Sequence, residues 1–154
     1  LKKLKIGMRF TMDKWDKRFL GLAKHVAQWS KDPSTKVGCC IVDDKNRIIS
    51  LGYNGFPRGV DDDDEHLHNR EVKLQRTLHA EENAILFAQK DLTGCCIYTF
   101  PFQPCHSCTT TIIQAGIKRV VAPYASNELK ERWKESMEAS EDMFHEAGVE
   151  LVIV

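Results

Sequence analysis

"CCIYTFPFQPCHSCTTTIIQAGIKRVVA", residues 95–122, decides the fold. It reads as a short apolar strand (95–101), a helix that begins at PCHSC, and a second apolar strand (117–122). Gly116 stands at the C′ position where a helix ends. Two strands joined through a helix of about ten residues need a crossover connection, and that makes them parallel. Strands with almost no polar residues suit a sheet covered on both faces.

The same reading extends in both directions. Downstream, residues 127–147 form one long helix with Leu129, Trp133, Met137, Ser140 and Phe144 along a stripe. Gly148 ends it, and "VELVIV" (149–154) is the last strand. Upstream, "HAEENAILFAQK" (79–90) is a helix and residues 55–78 are a long polar excursion. "VGCCIVD" (37–43) and "RIISLGYN" (47–54) are strands joined by the short polar "DKN", an antiparallel hairpin. "DPSTK" is a turn. Residues 13–30 form an amphipathic helix, capped by Asp13, with Trp15, Phe19, Leu22, Val26 and Trp29 on one face. The order α-β-β-α-β-α-β-α-β predicts a three-layer α/β/α sandwich around a mixed five-stranded sheet. Residues 1–12 read as an extension outside a single domain, 13–154.

Composition narrows the function classes. The 154 residues suit one domain with a core. Lys+Arg and Asp+Glu balance at 22 each. No global basic field draws the chain to nucleic acid or to a membrane surface, so neither partner is expected. No apolar run spans a bilayer, and the basic start lacks the apolar stretch of a signal peptide. A cytoplasmic setting is the expectation. Cys39, Cys40, Cys95 and Cys96 lie inside apolar strands, where cysteine acts as a small buried hydrophobe. Free thiols in a reducing compartment follow from that reading.

Cys105 and Cys108 differ. Spaced i, i+3 at a helix start, both sulfurs share a face, and the positive helix end favours the thiolates that zinc requires. Pro104 suits the first turn. His106, between the two cysteines, points away from their shared face. His79, also at a helix start, is the third candidate ligand. Three protein ligands rather than four mark a site that keeps a position for water, as catalytic zinc does. Glu81 is the candidate general acid/base. Residues i and i+2 diverge by about 200° on an ideal helix, so His79 has to sit at an irregular cap for both to face one point. His79-Ala80-Glu81 followed by Pro104-Cys105-x-x-Cys108 is the general signature of zinc-dependent deaminases.

"HAEENAI", "PCHSC", "TTTIIQAGIKRVV" and especially "GYNGFPRG" (52–59) resemble the cytidine deaminase superfamily, and within it the deoxycytidylate (dCMP) deaminases, over about residues 13–154. The resemblance implies one Zn²⁺ on His79, Cys105 and Cys108, and hydrolysis of dCMP to dUMP and ammonia by a zinc-activated water. Glu81 would move the protons. The backbone at Ala80 and the segment before Cys105, with Pro104, would contact the base. Ser34, Thr35 and Lys36 are the leading phosphate candidates, and Asn54 is placed on the sugar. Arg58 and Arg76 are secondary cationic candidates, and Phe102 or Tyr124 an aromatic wall. Members are often homo-oligomers, with a hexamer favoured, activated by dCTP and inhibited by dTTP with Mg²⁺. That places Gly52, Tyr53, Asn54, Gly55, Arg58 and Gly59 at an effector site. "DDDDE" (61–65) reads as a solvated acidic loop or a holder of hydrated Mg²⁺. His66 and His68 are the candidates in the excursion for a second metal. The rival readings are a deaminase of RNA adenosine or of polynucleotide cytidine, and a non-catalytic zinc-binding module.

Overall fold

The computed structural model describes residues 8–9 and 12–154. Five strands appear where the sequence places them: β2 (Gly38–Val42), β3 (Ile48–Tyr53), β4 (Cys96–Phe100), β5 (Arg119–Ala122) and β6 (Glu150–Ile153). A sixth, β1 (Met8–Arg9), precedes them and pairs parallel with β6 at the sheet edge. Most of the extension expected over 1–12 lies outside the described residues. The part that is described adds to the sheet.

Strand order is β1-β6-β5-β4-β2-β3. β4, β5 and β6 run parallel, joined by helical crossovers, as the stretch 95–122 requires. β2 is antiparallel to both β3 and β4. The hairpin turn ends at Asn46, whose φ of 59° is one that asparagine tolerates.

The period-2 alternation of the strands separates two cores. Cys40, Val42, Cys96, Tyr98, Val121 and Val152 face α1 (Lys14–Ala27). Cys39, Ile41, Ile97, Val120, Leu151 and Ile153 face the helices on the other side. Those are α4 (Ala80–Ala88), α5 (His106–Gln114) and α7 (Lys134–Glu146). The four strand cysteines are free and buried, acting as small hydrophobes.

Asp13 caps α1 in a reciprocal box with Asp16. The buried face of α1 is Asp16, Phe19, Ala23, Val26 and Ala27. Trp15 and Trp29, expected on that face, are 36% and 51% exposed at its edges. The small side chains of Ala23 and Ala27, together with Gly38, let α1 lie directly on β2. A Cβ on Gly38 would run into the Ala23 carbonyl and the Ala27 amide.

Two expectations need correction. The excursion 55–78 contains two short helices, α2 (Asp64–His68) and α3 (Arg70–Arg76). The acidic run helps to start them: Asp63 accepts from the His66 N–H at 2.9 Å, and Asp64 and Glu65 occupy the first turn. Asn69 caps α3 through the Val72 N–H. The single helix over 127–147 is two, α6 (Asn127–Arg132) and α7, broken at Trp133. Trp133 leaves helical geometry and stacks on Phe102 at 5.9 Å between ring centroids.

Candidate active site

Two helix starts meet at the carboxyl ends of β3 and β4, where ligand sites form in open α/β sheets. His79 is the N-cap of α4, with extended φ/ψ of −72° and 155°, and Glu81 is its second helical residue. The irregular cap demanded by the H-x-E spacing is therefore present. The His79 N–H is held by the Glu82 carboxylate at 3.4 Å. Cys105 is likewise an N-cap, and its sulfur accepts from the Cys108 N–H at 3.4 Å.

His79 Nδ1 lies 3.2 Å from Cys108 Sγ and 3.5 Å from Cys105 Sγ. The three donor atoms sit within 4.8 Å of one another. For tetrahedral zinc with Zn–S near 2.3 Å and Zn–N near 2.0 Å, N···S separations of about 3.5 Å are expected. The donor set therefore fits Zn²⁺ in both geometry and softness. The Cys105 thiol is drawn down to about 4 by its bond with Cys108 and by His79. The bond with Cys105 carries His79 up to about 9. Cys108 is pushed up, because its S–H serves Cys105 and is buried. Glu81 is 5% exposed, and burial raises its carboxyl. A carboxylate so poised takes and returns a proton readily.

One cleft opens on these groups. His79, Ala80, Glu81 and Cys105 line it, together with Phe102, Gln103 and Trp133. Asp32, Ser34, Thr35, Val37 and Asn54 also line the cleft, as do the cations Arg70, Lys73 and Arg132. Of the sequence candidates, Ser34, Thr35, Asn54, Ala80 and Phe102 are thus together with the ligand set. Lys36, Pro104, Arg58, Arg76 and Tyr124 do not line the cleft. Pro104 is buried and its carbonyl accepts from Ser140 Oγ at 3.0 Å. Arg58 lies over the Phe87 ring. Arg76 donates to the Asp61 carbonyl. His106 turns away as expected, with Nδ1 2.8 Å from Ser136 Oγ on α7.

Lys73, Arg70, Arg132, Gln103 and Trp133 were missed in the sequence. Their weak signals were a capping Asn69 before an amphipathic turn, and a tryptophan on a helix stripe beside arginine.

"GYNG" builds the site's frame. Gly52 lets α4 rest on β3: a Cβ there would meet the Ala80 carbonyl and come within 2.6 Å of the Ala84 amide. The Tyr53 carbonyl accepts from Asn83 Nδ2 at 2.8 Å. Asn54 Oδ1 accepts from the Val37 N–H at 2.9 Å, and Nδ2 donates to the Thr35 carbonyl at 2.9 Å. Gly55 pairs with Leu78, the residue before His79. Gly59, with φ of 80°, takes a left-handed turn in the same segment.

Asp61, Asp63 and His66 also cluster. His68 instead bonds the Asp64 carbonyl, so the two excursion histidines do not converge. Among the described residues no helix is long and apolar enough to cross a membrane.

An open two-sulfur, one-nitrogen donor set beside a buried glutamate, on this sheet, defines a class: zinc-dependent hydrolytic deaminases. The model of the cytidine and deoxycytidylate deaminase zinc-binding region matches residues 13–123, and the chain belongs to that family. It is 49% identical over 140 residues to an uncharacterized deaminase of Aliivibrio fischeri, covering 91% of this chain and 93% of the relative. It is 38% identical over 143 residues to human deoxycytidylate deaminase, covering 88% and 76%. The dCMP deaminase of cyanophage S-TIM5, in its apo form, superposes with a TM-score of 0.71 at 23% identity, over 94% of this chain and all of that one. That last likeness is one of fold.

Proposed function

We propose that this chain hydrolyses dCMP to dUMP and ammonia. The observation that carries the reading is the cleft joining the zinc-type donor set and Glu81 to Ser34, Thr35, Arg70 and Arg132. A base at one end and a phosphate at the other suit a nucleoside monophosphate. The human relative bears the name deoxycytidylate deaminase, and the cyanophage enzyme is also known in complex with dCMP and dUMP.

His79, Cys105 and Cys108 would hold Zn²⁺, which when bound would supply a water of lowered pKa, nucleophilic at neutral pH. Glu81 would take a proton from the attacking water and pass it to N3 as the water oxygen bonds C4. It would then move the remaining proton of the C4 hydroxyl to the exocyclic nitrogen, so that C4=O forms as the C4–N bond breaks to release ammonia. Ala80, Phe102 and Gln103 bound the space for the base. Ser34 and Thr35 belong to the phosphate end, and Asn54 holds their loop beside the sugar.

Finer expectations follow from the same resemblance. Activation by dCTP, inhibition by dTTP and a homo-hexamer belong to the proposal, with the matching "GYNG" segment favouring the effectors and exposed Leu86 and Phe87 favouring association. Free buried thiols support a reducing, cytoplasmic setting.

The test is ammonia release from dCMP, CMP, deoxycytidine, dCTP and an RNA hairpin, with and without dCTP as effector. Preference for dCMP is the expected result. Turnover of the hairpin alone would replace this reading with an RNA deaminase.

A further inference from the structure

We propose that Lys73 sets the cleft's preference for a phosphorylated substrate by neutralising Asp32, as a positioning residue. The inference rests on the dCMP reading above. Asp32 shapes the loop at the phosphate end: its Oδ1 accepts the N–H of Ser34 at 2.8 Å and of Thr35 at 3.1 Å. The turn needs that acceptor, yet a carboxylate there repels an incoming phosphate. The Asp32 side chain is 11% exposed, so little water screens it.

Lys73 removes the conflict. Its Nζ lies 3.0 Å from Asp32 Oδ1 and 3.0 Å from Ser34 Oγ, with the side chain 10% exposed. The lysine comes from α3, so the folded part of the excursion reaches the loop it serves. An ammonium can only donate. Ser34 Oγ therefore accepts from Lys73, and its own hydroxyl proton remains to donate to an anion. With the Asp32–Lys73 pair neutral, Arg70 and Arg132 set the sign of this end of the cleft.

Steady-state kinetics of the zinc-loaded protein with dCMP and with deoxycytidine tests this, in wild type, Lys73→Met and the double variant Asp32→Asn/Lys73→Met. The readout is the ratio of kcat/KM for dCMP to that for deoxycytidine, at constant salt. Lys73→Met strands a buried carboxylate, and the ratio falls by about tenfold or more, mainly through KM for dCMP. The double variant keeps the turn's acceptor and the wild-type net charge, and regains most of the ratio. If Lys73→Met fails to fold, the double variant decides by itself, because it contains no stranded charge. A wild-type ratio in Lys73→Met overturns the inference. So does a double variant with the ratio still reduced, which would put Lys73 on the phosphate itself. A wild-type chain with no preference for dCMP overturns the substrate reading and this inference together.

Discussion

Glu81 and Glu82 are chemical twins with different duties. Glu82 holds the His79 N–H and stabilises a helix start, while Glu81 is buried in the cleft with its carboxyl raised by desolvation. Glu81→Gln keeps shape and removes the proton carrier. It is expected to lower kcat by about 10²- to 10⁴-fold, with zinc content by elemental analysis unchanged. Asn54 makes a second prediction. Asn54→Ala leaves the Val37 N–H and the Thr35 carbonyl without their partner. A loss of about 1–3 kcal/mol in urea unfolding is expected, together with a higher KM for dCMP. The ligands and Glu81 were readable in sequence because the chemistry demands particular residue types at short spacing on a helix start. Lys73 was not. Its partner Asp32 is remote in the chain, and only the folded excursion brings them together.

At the level of elements, two contacts place the helices that matter. Gly52 was expected at an effector site, and that role stays a proposal. Its contact with α4 is geometric. Gly52→Ala pushes α4 off β3 and carries His79 and Glu81 with it. A lower Tm and a fall in kcat together are expected, with a stability loss of about 1–3 kcal/mol or more. On the other face, α1 is pinned by Asp16, which is 1% exposed. Its oxygens accept Arg119 Nη1 at 2.7 Å, Arg119 Nη2 at 2.9 Å and the Tyr98 hydroxyl at 2.8 Å. Burial raises the Asp16 carboxyl, but these bonds more than offset it and leave it below the ordinary value of 3.8. The sign follows from that depression. The native state holds the proton less tightly than the unfolded chain, so Asp16 stabilises the fold above about pH 4 and this contribution is lost as pH falls further. Asp16→Asn is expected to cost about 3 kcal/mol at pH 7 by chemical denaturation. The gap between variant and wild type should narrow in acid below the ordinary carboxyl value.

Across the whole molecule, the candidate zinc ligands join the starts of α4 and α5, two helices that share one face of the sheet. Removing zinc with a chelator is expected to abolish deamination and lower Tm by several degrees, and restoring zinc should reverse both. A melt unmoved by chelation would mean the helix starts hold together without the ion. The parallel part of the sheet was legible because a strand-helix-strand unit has one favoured connection, and the nearly all-apolar strands pointed to cover on both faces. The break at Trp133 was not legible. A helical stripe records what a helix can bury, while the pull of Phe102 on the Trp133 ring depends on a wall built by a different segment. The two helices inside the excursion were hidden because their polar caps look like loop residues until they are seen to bond N–H groups. By itself, then, the sequence determined the α/β class, the zinc-type donor set and the candidate acid/base glutamate, since each depends on residue type and local spacing. The cations lining the cleft, the exposed edges of α1 and the frame made by "GYNG" were decided by tertiary structure alone, because each is a meeting of segments far apart in the chain.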